Sequence, residues 1–425
     1  MNDLVPNGML PLASGLVPGT SPLVGTVVVI SFAVLSWITL GILARLLAAD
    51  EGFQPATLRS IWARIVGPRT AWLVDAVIAA TCFTSCVAYL DFASDLLCPT
   101  VDEILGTYSS GRSICIVALA ATLCPLCLLK DVSALAPFSL LGVASCVYVI
   151  LFMMCRSLDG TYLSGGRYNT LSPGIVDVNI LRIGYDSNGA AKLSNDRHVF
   201  SPFEIRSDGS TLNLLGMISV GFLSHYNAAE YYYSLRQRSP ATFRVASSGA
   251  FAFTAGIYII SMWTGSATFG NDCSPTILNN YSPGDPFAAA GRLGIGVSLL
   301  TSFPLMFNGL TRSMTSLAVA AAGTKLSMGG GLNQLAAIVF LTAVCLSSLA
   351  YPDVDVIVEW IGAVFGTGKY FTSPVDSVNI SGPSAPKALT LHHLAFIPTS
   401  AVIYGFPGTM LIVDSLARRI PDEVG

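Results

Sequence analysis

The sequence predicts an all-α integral membrane protein that crosses the bilayer many times. Only 11% of its 425 residues are charged, whereas 52% are hydrophobic, and a typical soluble domain carries roughly 25% charged residues. Apolar runs long enough to span a bilayer, about 20 residues, recur along the chain. These runs do not alternate between polar and apolar residues, as the strands of a membrane barrel do. Helical spans are therefore expected.

Nine segments of the chain are candidate spans. Eight contain no acidic or basic residue, and the ninth, residues 76–90, is preceded by Asp75 and followed by Asp91 and Asp95. A chain with this pattern is expected to lie in the plasma membrane or in an internal membrane of the vacuolar or lysosomal type. The eight uncharged runs are residues 22–44, 113–129, 134–155, 211–229, 245–271, 293–311, 326–352 and 394–413.

The charge balance of the chain limits the classes of partner that it can bind. The 22 basic residues nearly balance the 25 acidic residues, and no clustered basic face is visible, so a nucleic-acid partner is not expected. The lipid bilayer is the expected surrounding of the chain.

Eight of the ten cysteines fall in or beside the first predicted spans, where they are predicted to be small apolar packing residues. These eight are Cys82, Cys86, Cys98, Cys115, Cys124, Cys127, Cys146 and Cys155.

Basic residues are distributed unequally between the two predicted faces of the membrane. Arg112 and Arg292 fall on one face, and ten others fall on the opposite face, which is predicted to be cytosolic. On the non-cytosolic face, the sequon Asn280-Tyr281-Ser282 makes Asn280 a glycosylation candidate. The ten residues are Arg45, Arg59, Arg64, Arg69, Lys130, Arg236, Arg238, Arg244, Arg312 and Lys325.

Three parts follow from the order of spans and loops. Residues 1–156 form a first repeat that runs from a partial first span to a fifth span. Residues 157–210 form a long polar loop outside the cytosol, and residues 211–417 form a second repeat with a polar insertion at 367–393. Two halves separated by a long loop fit the inverted-repeat plan of secondary transporters, and the periodicity alone would also fit a receptor or a channel. The segment 53–66 spaces its apolar and basic residues as an interfacial helix does.

A polar stretch interrupts the predicted span after residue 211. Gly221 is followed by Ser224, His225 and Glu230, which indicates a helix that breaks midway and turns backbone groups toward a cavity. His225 and Glu230 are candidates for gating or proton coupling, because ionisable residues inside a membrane usually serve function. The alternative for His225 is a neutral imidazole that holds two helices together by hydrogen bonds.

This stretch resembles the sixth-span signature of the amino acid/auxin permease family of the amino acid–polyamine–organocation superfamily. Phe222 through His225, followed by Tyr232 and Leu235, carries the resemblance, which extends over most of the chain. Further segments resemble the family's second, third, fourth and fifth, eighth and tenth spans in order. They are residues 32–43, 86–97, 125–145, 292–307 and 351–366.

The resemblance implies a leucine-transporter-like fold of two inverted five-helix repeats, with about 10 to 11 spans in all. In such a fold, broken spans one and six hold the substrate. The segment 5–12 resembles the second half of the broken first span, so Asn7, Gly8 and Met9 are implied to bind the substrate carboxylate. The first span is then truncated on its cytosolic side.

The sixth and eighth spans complete the implied site. Gly221, Phe222 and Ser224 are implied to bind substrate. Thr301 and Ser302 are candidates to bind the coupling cation, which is sodium or a proton. The alternative for both hydroxyls is a hydrogen bond back to their own helical turn. No other cofactor is expected, and no metal site is predicted.

Three features depart from the family pattern. Pro6 replaces a glycine, Tyr233-Ser234 replaces an acidic pair, and residues 367–393 interrupt the tenth span. The run 394–413 either completes that span or forms an eleventh.

These observations predict a secondary active transporter of amino acids that works by alternating access and not an enzyme. The alternative is a non-transporting sensor or scaffold that keeps the transporter fold.

Overall fold

The computed structural model consists of helices and one small sheet. Among the described residues, five helices are long and apolar enough to cross a membrane, and they coincide with five of the predicted runs. The structure describes residues 4–16, 21–48, 57–65, 67–105, 112–128, 136–162, 166–168, 175–178, 181–185, 191–192, 214, 217–218, 220–322 and 330–350. The run 394–413 and the insertion 367–393 lie outside these residues.

In the connections that the structure describes, the regular elements between the helices are short. Short 3-10 turns occur at Pro68–Thr70, His225–Asn227, Gly270–Asp272 and Ile277–Asn280. The helices are α1 (Val5–Met9), α2 (Leu12–Gly15), α3 (Pro22–Ala48), α4 (Leu58–Ile65), α5 (Ala71–Leu105), α6 (Arg112–Cys127), α7 (Ala136–Asp159), α8 (Ala228–Tyr233), α9 (Pro240–Phe269), α10 (Pro286–Ala322) and α11 (Gly330–Ala350).

The long helices pack into one bundle. α5 packs against α10, and α9 packs against α3 and α7. α6 and α11 pack against each other and against α5. Large apolar side chains cover outward faces of the bundle, for example Val27, Ile30 and Val34 on α3. Such a surface suits the hydrocarbon core of a lipid bilayer, where apolar side chains can face the lipid tails.

The long polar loop contains a sheet that the sequence analysis did not predict. β1 (Ile175–Val178), β2 (Leu181–Tyr185) and β3 (Ala191–Lys192) form a three-stranded antiparallel sheet in that order. Ile175 pairs with Gly184, and Val178 pairs with Leu181. The predicted helical character is confirmed for the apolar runs that the structure describes, and this loop adds a small sheet to it. Its β-branched residues favour strands, and their run is too short to stand out from the polar residues around it.

At one end of the bundle, α4 is tied to two long helices. Arg59 Nη1 lies 2.6 Å from Asp75 Oδ2 on α5 and 2.6 Å from Ser316 Oγ on α10. Ser316 Oγ also donates to Asp75 Oδ2 at 2.6 Å. The helix predicted within 53–66 is present, and Ile61 on its inner face is fully buried. We call this the arginine-rich end; the sequence predicts it to be cytosolic.

At the opposite end, a buried ion pair joins α7 to the start of α10. Arg156 Nη2 lies 2.8 Å from Asp285 Oδ2, and the Asp285 side chain is fully buried. Tyr162 donates to Asp285 Oδ2 at 3.1 Å and accepts from the Ser282 N–H. Burial raises the pKa of the Tyr162 hydroxyl well above its usual range, so this donor keeps its proton. The contact fixes the opposite end of α10.

A disulfide corrects the prediction for two of the cysteines. Cys98 in α5 and Cys115 in the first turn of α6 are bonded, with Cα atoms 6.3 Å apart. Both lie toward the end of the bundle opposite Arg59, and disulfides persist in oxidising compartments outside the cytosol. The prediction of apolar packing overlooked the pair because 17 residues separate the two cysteines along the chain. Cys82, Cys86 and Cys146 are buried, as predicted, and none of them belongs to this disulfide.

Replacing Cys98 and Cys115 together by serine is expected to lower the free energy of unfolding by about 2–4 kcal/mol, because the bond restricts the unfolded chain. Thermal unfolding of the purified protein measures the change. The control is Cys155→Ser, since Cys155 is free and exposed. Equal midpoints for the double variant, the control and the unmodified protein would contradict a structural disulfide.

Candidate functional site

Two interrupted helical segments meet in the centre of the bundle. The first comprises α1 and α2, which are separated by Leu10 and Pro11. Pro11 has no N–H group and cannot continue α1, so the helix breaks there. The break follows Asn7, Gly8 and Met9, the residues that the resemblance implies to bind substrate. Gly8 and Met9 lie inside α1, where helical register directs their N–H groups toward the carbonyls of the preceding turn. Val5, Met9 and Leu10 are completely buried.

The second segment breaks where the sequence predicts. Helical backbone extends to Gly221, and Leu223 and Ser224 are not helical. A 3-10 turn follows at His225–Asn227, and α8 begins at Ala228. The Ser224 backbone has φ −120° and ψ 4°, outside the helical region. The helix therefore stops for several residues inside the bundle.

The two segments touch through their glycines. A Cβ atom added at Gly221 would lie 3.3 Å from the Gly8 Cα, and one added at Gly8 would lie 2.3 Å from Tyr258 Cζ. Such proximity is available only to glycine, which has no side chain. We call Gly8, Gly221 and Tyr258 the glycine contact.

The Tyr258 hydroxyl links the two segments. It lies 2.5 Å from the Leu4 carbonyl oxygen and 2.9 Å from the Gly221 carbonyl oxygen. A hydroxyl has one proton, so the two carbonyls share a single donor. Ser261, three residues further along α9, donates to the Met9 carbonyl at 2.7 Å. α9 thus holds the backbone of both segments by hydrogen bonds.

Aromatic and hydroxyl side chains surround this contact. The Phe222 ring is buried, with its centroid 5.1 Å from that of Tyr258 and 6.0 Å from that of Phe251. The hydroxyls of Ser224 and Thr254 are buried and have no hydrogen-bond partner among the described residues. Buried polar groups usually have partners. Two such hydroxyls next to a broken helix can serve a polar ligand.

His225 connects the second segment to α3. Its Nε2 lies 2.7 Å from Thr39 Oγ1, and Thr39 Oγ1 is also 3.0 Å from the Leu35 carbonyl oxygen. When the threonine proton goes to that carbonyl, Nε2 must carry a proton and donate to Thr39. This geometry matches the alternative of an imidazole that holds two helices together. A role in gating or proton coupling stays a prediction.

Glu230 lies at the arginine-rich end of the bundle. Its carboxylate forms a two-point ion pair with Arg312 of α10, in which Nη2 is 2.9 Å from Oε1. The side chains are 42% and 57% exposed. Sequence reasoning noticed Glu230 and missed its partner, because 82 residues separate them. Its role in gating or proton coupling also stays a prediction.

Breaking this pair is expected to open the arginine-rich end. Cys82 lies beside Gly309 on α10, where an added Cβ would be 2.9 Å from its Sγ, and the thiol is buried. Glu230→Gln should therefore raise the rate at which a small maleimide alkylates Cys82 several-fold, while stability changes by less than about 1 kcal/mol. Mass spectrometry of the Cys82 peptide measures the rate.

Two further variants test this interpretation. The charge-exchanged double variant, Glu230→Arg with Arg312→Glu, should restore slow alkylation. Arg69→Gln is a matched control, because Arg69 is exposed at the same end. Equal rates in Glu230→Gln and the unmodified protein would refute the role of the pair.

Thr301 and Ser302 are buried in α10. Thr301 Oγ1 donates to the Ser298 carbonyl at 3.0 Å, and Ser302 Oγ donates to the same oxygen at 2.9 Å. This is the alternative that the sequence analysis left open, a hydroxyl bonded to its own turn. Pro304, within the same helix, removes one backbone donor nearby. Cation binding by either residue stays a prediction.

Asn280 lies in the loop at the opposite end. Its Nδ2 donates to the Asp272 carbonyl at 2.7 Å, and its Oδ1 accepts from the Ser274 N–H at 2.8 Å. The amide thereby closes the loop. Glycosylation of Asn280 stays a prediction, and it would use the nitrogen that makes the first of these bonds.

Sequence reasoning missed Tyr258 and Ser261, which hold both segments. Both are polar residues within a long apolar run, and so is Thr254. Thr254, Tyr258 and Ser261 follow one another at intervals of four and three residues. That spacing places them on one face of α9. A search for polar residues at helical spacing inside apolar runs would have identified this face.

A comparison with known proteins finds a family model and several relatives that match this chain. The model of the family described as "Transmembrane amino acid transporter protein" matches residues 7–376. Vacuolar amino acid transporter 7 of Saccharomyces cerevisiae is 23% identical over 252 residues, which are 59% of this chain and 45% of that protein. Vacuolar amino acid transporter 5 of Schizosaccharomyces pombe is 22% identical over 347 residues, 80% of this chain and 74% of that protein.

Further matches are to a protein named as sodium-coupled and to a solved structure. Sodium-coupled neutral amino acid transporter 7 of Rattus norvegicus is 24% identical over 159 residues, 36% of this chain and 34% of that protein. The crystal structure of MhsT in complex with L-phenylalanine matches with a TM-score of 0.46 and 12% identity, covering 96% of this chain and 84% of that one. The chain thus spans less than half the length of two of these three relatives.

Proposed function

This chain belongs to the transmembrane amino acid transporter family, and from that premise we propose that it is a secondary active transporter which moves amino acids by alternating access. Family membership rests on a match to residues 7–376, and it confirms the resemblance seen in the sequence. The chain is a multi-pass membrane protein. Its transport activity, substrate and coupling ion are the proposal.

The glycine contact is the observation that carries the proposal. Two interrupted helices expose backbone groups inside a membrane only where these line a cavity or meet a ligand. An amino acid offers a carboxylate and an ammonium group, which need N–H donors and carbonyl or hydroxyl acceptors respectively. The interrupted backbone after Gly221 and the buried Ser224 hydroxyl, which can donate and accept, offer both kinds of group beside Gly8. We place the substrate there, with Asn7, Met9 and Phe222 beside it.

Alternating access requires that the two segments move relative to helices that stay in place. α9 makes hydrogen bonds to both segments through Tyr258 and Ser261. Because the two carbonyls share one Tyr258 proton, moving either segment exchanges one bond for the other at little cost. This supports a transport cycle in which Tyr258 keeps a hydrogen bond to one segment while the other segment moves.

The relatives inform the coupling ion and the membrane. The yeast relatives are named vacuolar, and the rat relative is named sodium-coupled. We therefore propose sodium or protons as the coupling ion, with Thr301 and Ser302 as candidate cation ligands. The membrane is the plasma membrane or a vacuolar or lysosomal one.

Uptake by proteoliposomes tests the proposal. Purified protein is reconstituted, and each proteinogenic L-amino acid is offered in radiolabelled form under an imposed sodium gradient, an imposed proton gradient, or neither. Accumulation that depends on one gradient supports a transporter and identifies both substrate and ion. Vesicles without protein are the control. Amino acid binding with no flux would instead indicate a sensor or scaffold, and neither binding nor flux would refute the proposal.

A further inference from the structure

A carboxylate lies buried in α5, away from the glycine contact. Asp91 Oδ1 accepts from Arg112 Nη2 of α6 at 3.0 Å and from Ser348 Oγ of α11 at 2.5 Å. Arg112 Nε also donates to Asp95 Oδ1 at 3.1 Å. Three helices therefore meet at one acid within Pro68–Thr100, which is long and apolar enough to cross a membrane. We call Asp91, Asp95, Arg112 and Ser348 the acidic cluster.

The acidic cluster has more negative than positive charge. One guanidinium serves two carboxylates, and the Asp91 side chain is fully buried. Its second oxygen, Oδ2, is buried and has no hydrogen-bond partner among the described residues. A buried carboxylate oxygen that accepts no hydrogen bond is costly inside a membrane. A proton on Oδ2 removes that cost and leaves both bonds to Oδ1 in place.

Exposure within the cluster suggests how a proton enters. Asp95 and Arg112 are 24% and 28% exposed, whereas Asp91 is not exposed at all. Asp95 lies one turn beyond Asp91 toward the end of the bundle that carries the disulfide. The disulfide joins Cys98 to Cys115 in the next turn, and it holds α5 and α6 at the separation that the guanidinium bridges.

The helices packed against α5 bring no other charge to Asp91 among their described side chains. α11 contains no Asp, Glu, Lys, Arg or His, its one titratable group being the thiol of Cys345, and Arg112 is the only charged residue of α6. On α10, Arg292 donates to two backbone carbonyls and Arg312 is paired at the arginine-rich end. α4 meets α5 at that same end, where Arg59 binds Asp75.

A metal cation does not suit the cluster. Arg112 already places a positive charge 3.0 Å from Asp91, and a sodium ion in the same place would be repelled. Within the described part of the chain, no group of three or more histidine, cysteine, aspartate or glutamate residues could hold a metal. A proton is small enough to bind Oδ2 without displacing the guanidinium.

We propose that Asp91 is a proton-binding site, which takes up its proton on Oδ2 from the side where Asp95 is exposed. The proton comes from water and forms one O–H bond, so no other reactant is needed. The further step, that this proton is exchanged during transport, rests on the proposed function. Loss of the proton leaves Arg112 bound to two carboxylates, and its return leaves Arg112 neutralised by Asp95 alone.

Infrared difference spectroscopy tests proton binding without any substrate. The full chain in lipid is titrated between alkaline and acidic buffer, and the carboxyl C=O stretching band of a buried protonated acid is recorded. Asp91→Asn should remove this band, since asparagine keeps the acceptor oxygen and cannot take the proton. Asp91→Glu should retain a shifted band, and it guards against a folding defect in the first variant. Asp272→Asn is the matched control, since Asp272 is exposed, and should leave the band unchanged.

A second measurement tests exchange during transport. Proteoliposomes loaded with a pH-sensitive dye receive a mixture of the proteinogenic L-amino acids, and the change of internal pH is followed. Asp91→Asn should abolish the change while exchange of labelled for unlabelled amino acid continues. If the unmodified protein moves no amino acid, the proposed function fails, and the infrared result still decides whether Asp91 binds a proton. A buried-carboxyl band that persists in Asp91→Asn overturns the inference.

Discussion

Tyr258→Phe is expected to reduce amino acid uptake about tenfold or more, since a loss of roughly 1.4 kcal/mol corresponds to a factor of ten. The variant keeps the ring that packs on Phe222 and removes only the hydroxyl. The carbonyls of Leu4 and Gly221 then have no tyrosine proton to share, and a buried acceptor without its donor costs about 1–3 kcal/mol. Initial uptake rates in proteoliposomes measure the effect.

A second tyrosine provides a matched control for this substitution. Tyr148 of α7 also donates to a backbone carbonyl, that of Phe287, at 3.0 Å. It is 36% exposed and lies far along the chain from both interrupted segments. Tyr148→Phe should leave uptake near that of the unmodified protein. Similar losses in both variants would mean that the effect of Tyr258 is a general loss of stability rather than a property of the glycine contact.

Gly8→Ala is expected to abolish uptake and to lower the free energy of unfolding by about 1–3 kcal/mol, the usual cost of overpacking. The added Cβ would lie 2.3 Å from Tyr258 Cζ and 2.5 Å from its hydroxyl oxygen. Tyr258 cannot yield easily, because its hydroxyl is bonded to two carbonyls. Uptake and thermal unfolding are measured on the same preparation.

Glycines on α9 itself control for the change of residue type. An added Cβ at Gly249 or Gly256 meets no atom within 4 Å. Alanine at either position should therefore preserve uptake, and it should stabilise the helix by up to about 1 kcal/mol. Normal uptake by Gly8→Ala would show that the two segments do not approach each other as the structure has them.

Local patterns predicted much of this architecture. Apolar runs such as 22–44 and 293–311 identified long helices, because a helix that faces lipid must be apolar along its whole length. The break after Gly221 was also predicted, since a glycine followed by polar residues within a span is a local signal. The sheet at 175–192 was missed, because its strands are short and lie among polar residues.

Contacts between distant residues could not be predicted in the same way. Tyr258 and Leu4 are 254 residues apart, and a tyrosine in an apolar run has the same local pattern whether it packs or donates to a backbone. Asp91 was noticed only as a residue that ends an apolar run. The structure places it inside α5, because Arg112 and Ser348 of other helices supply the partners that make its burial tolerable.

The two contacts at the arginine-rich end belong to the same helix and lie one turn apart. Arg312 holds Glu230, and Ser316 holds Arg59 and Asp75. A tilt of α10 acts on both contacts together, because a helix moves as a rigid rod over a single turn. Opening at this end is therefore expected to be cooperative and switch-like, with few molecules in which only one of the contacts is broken.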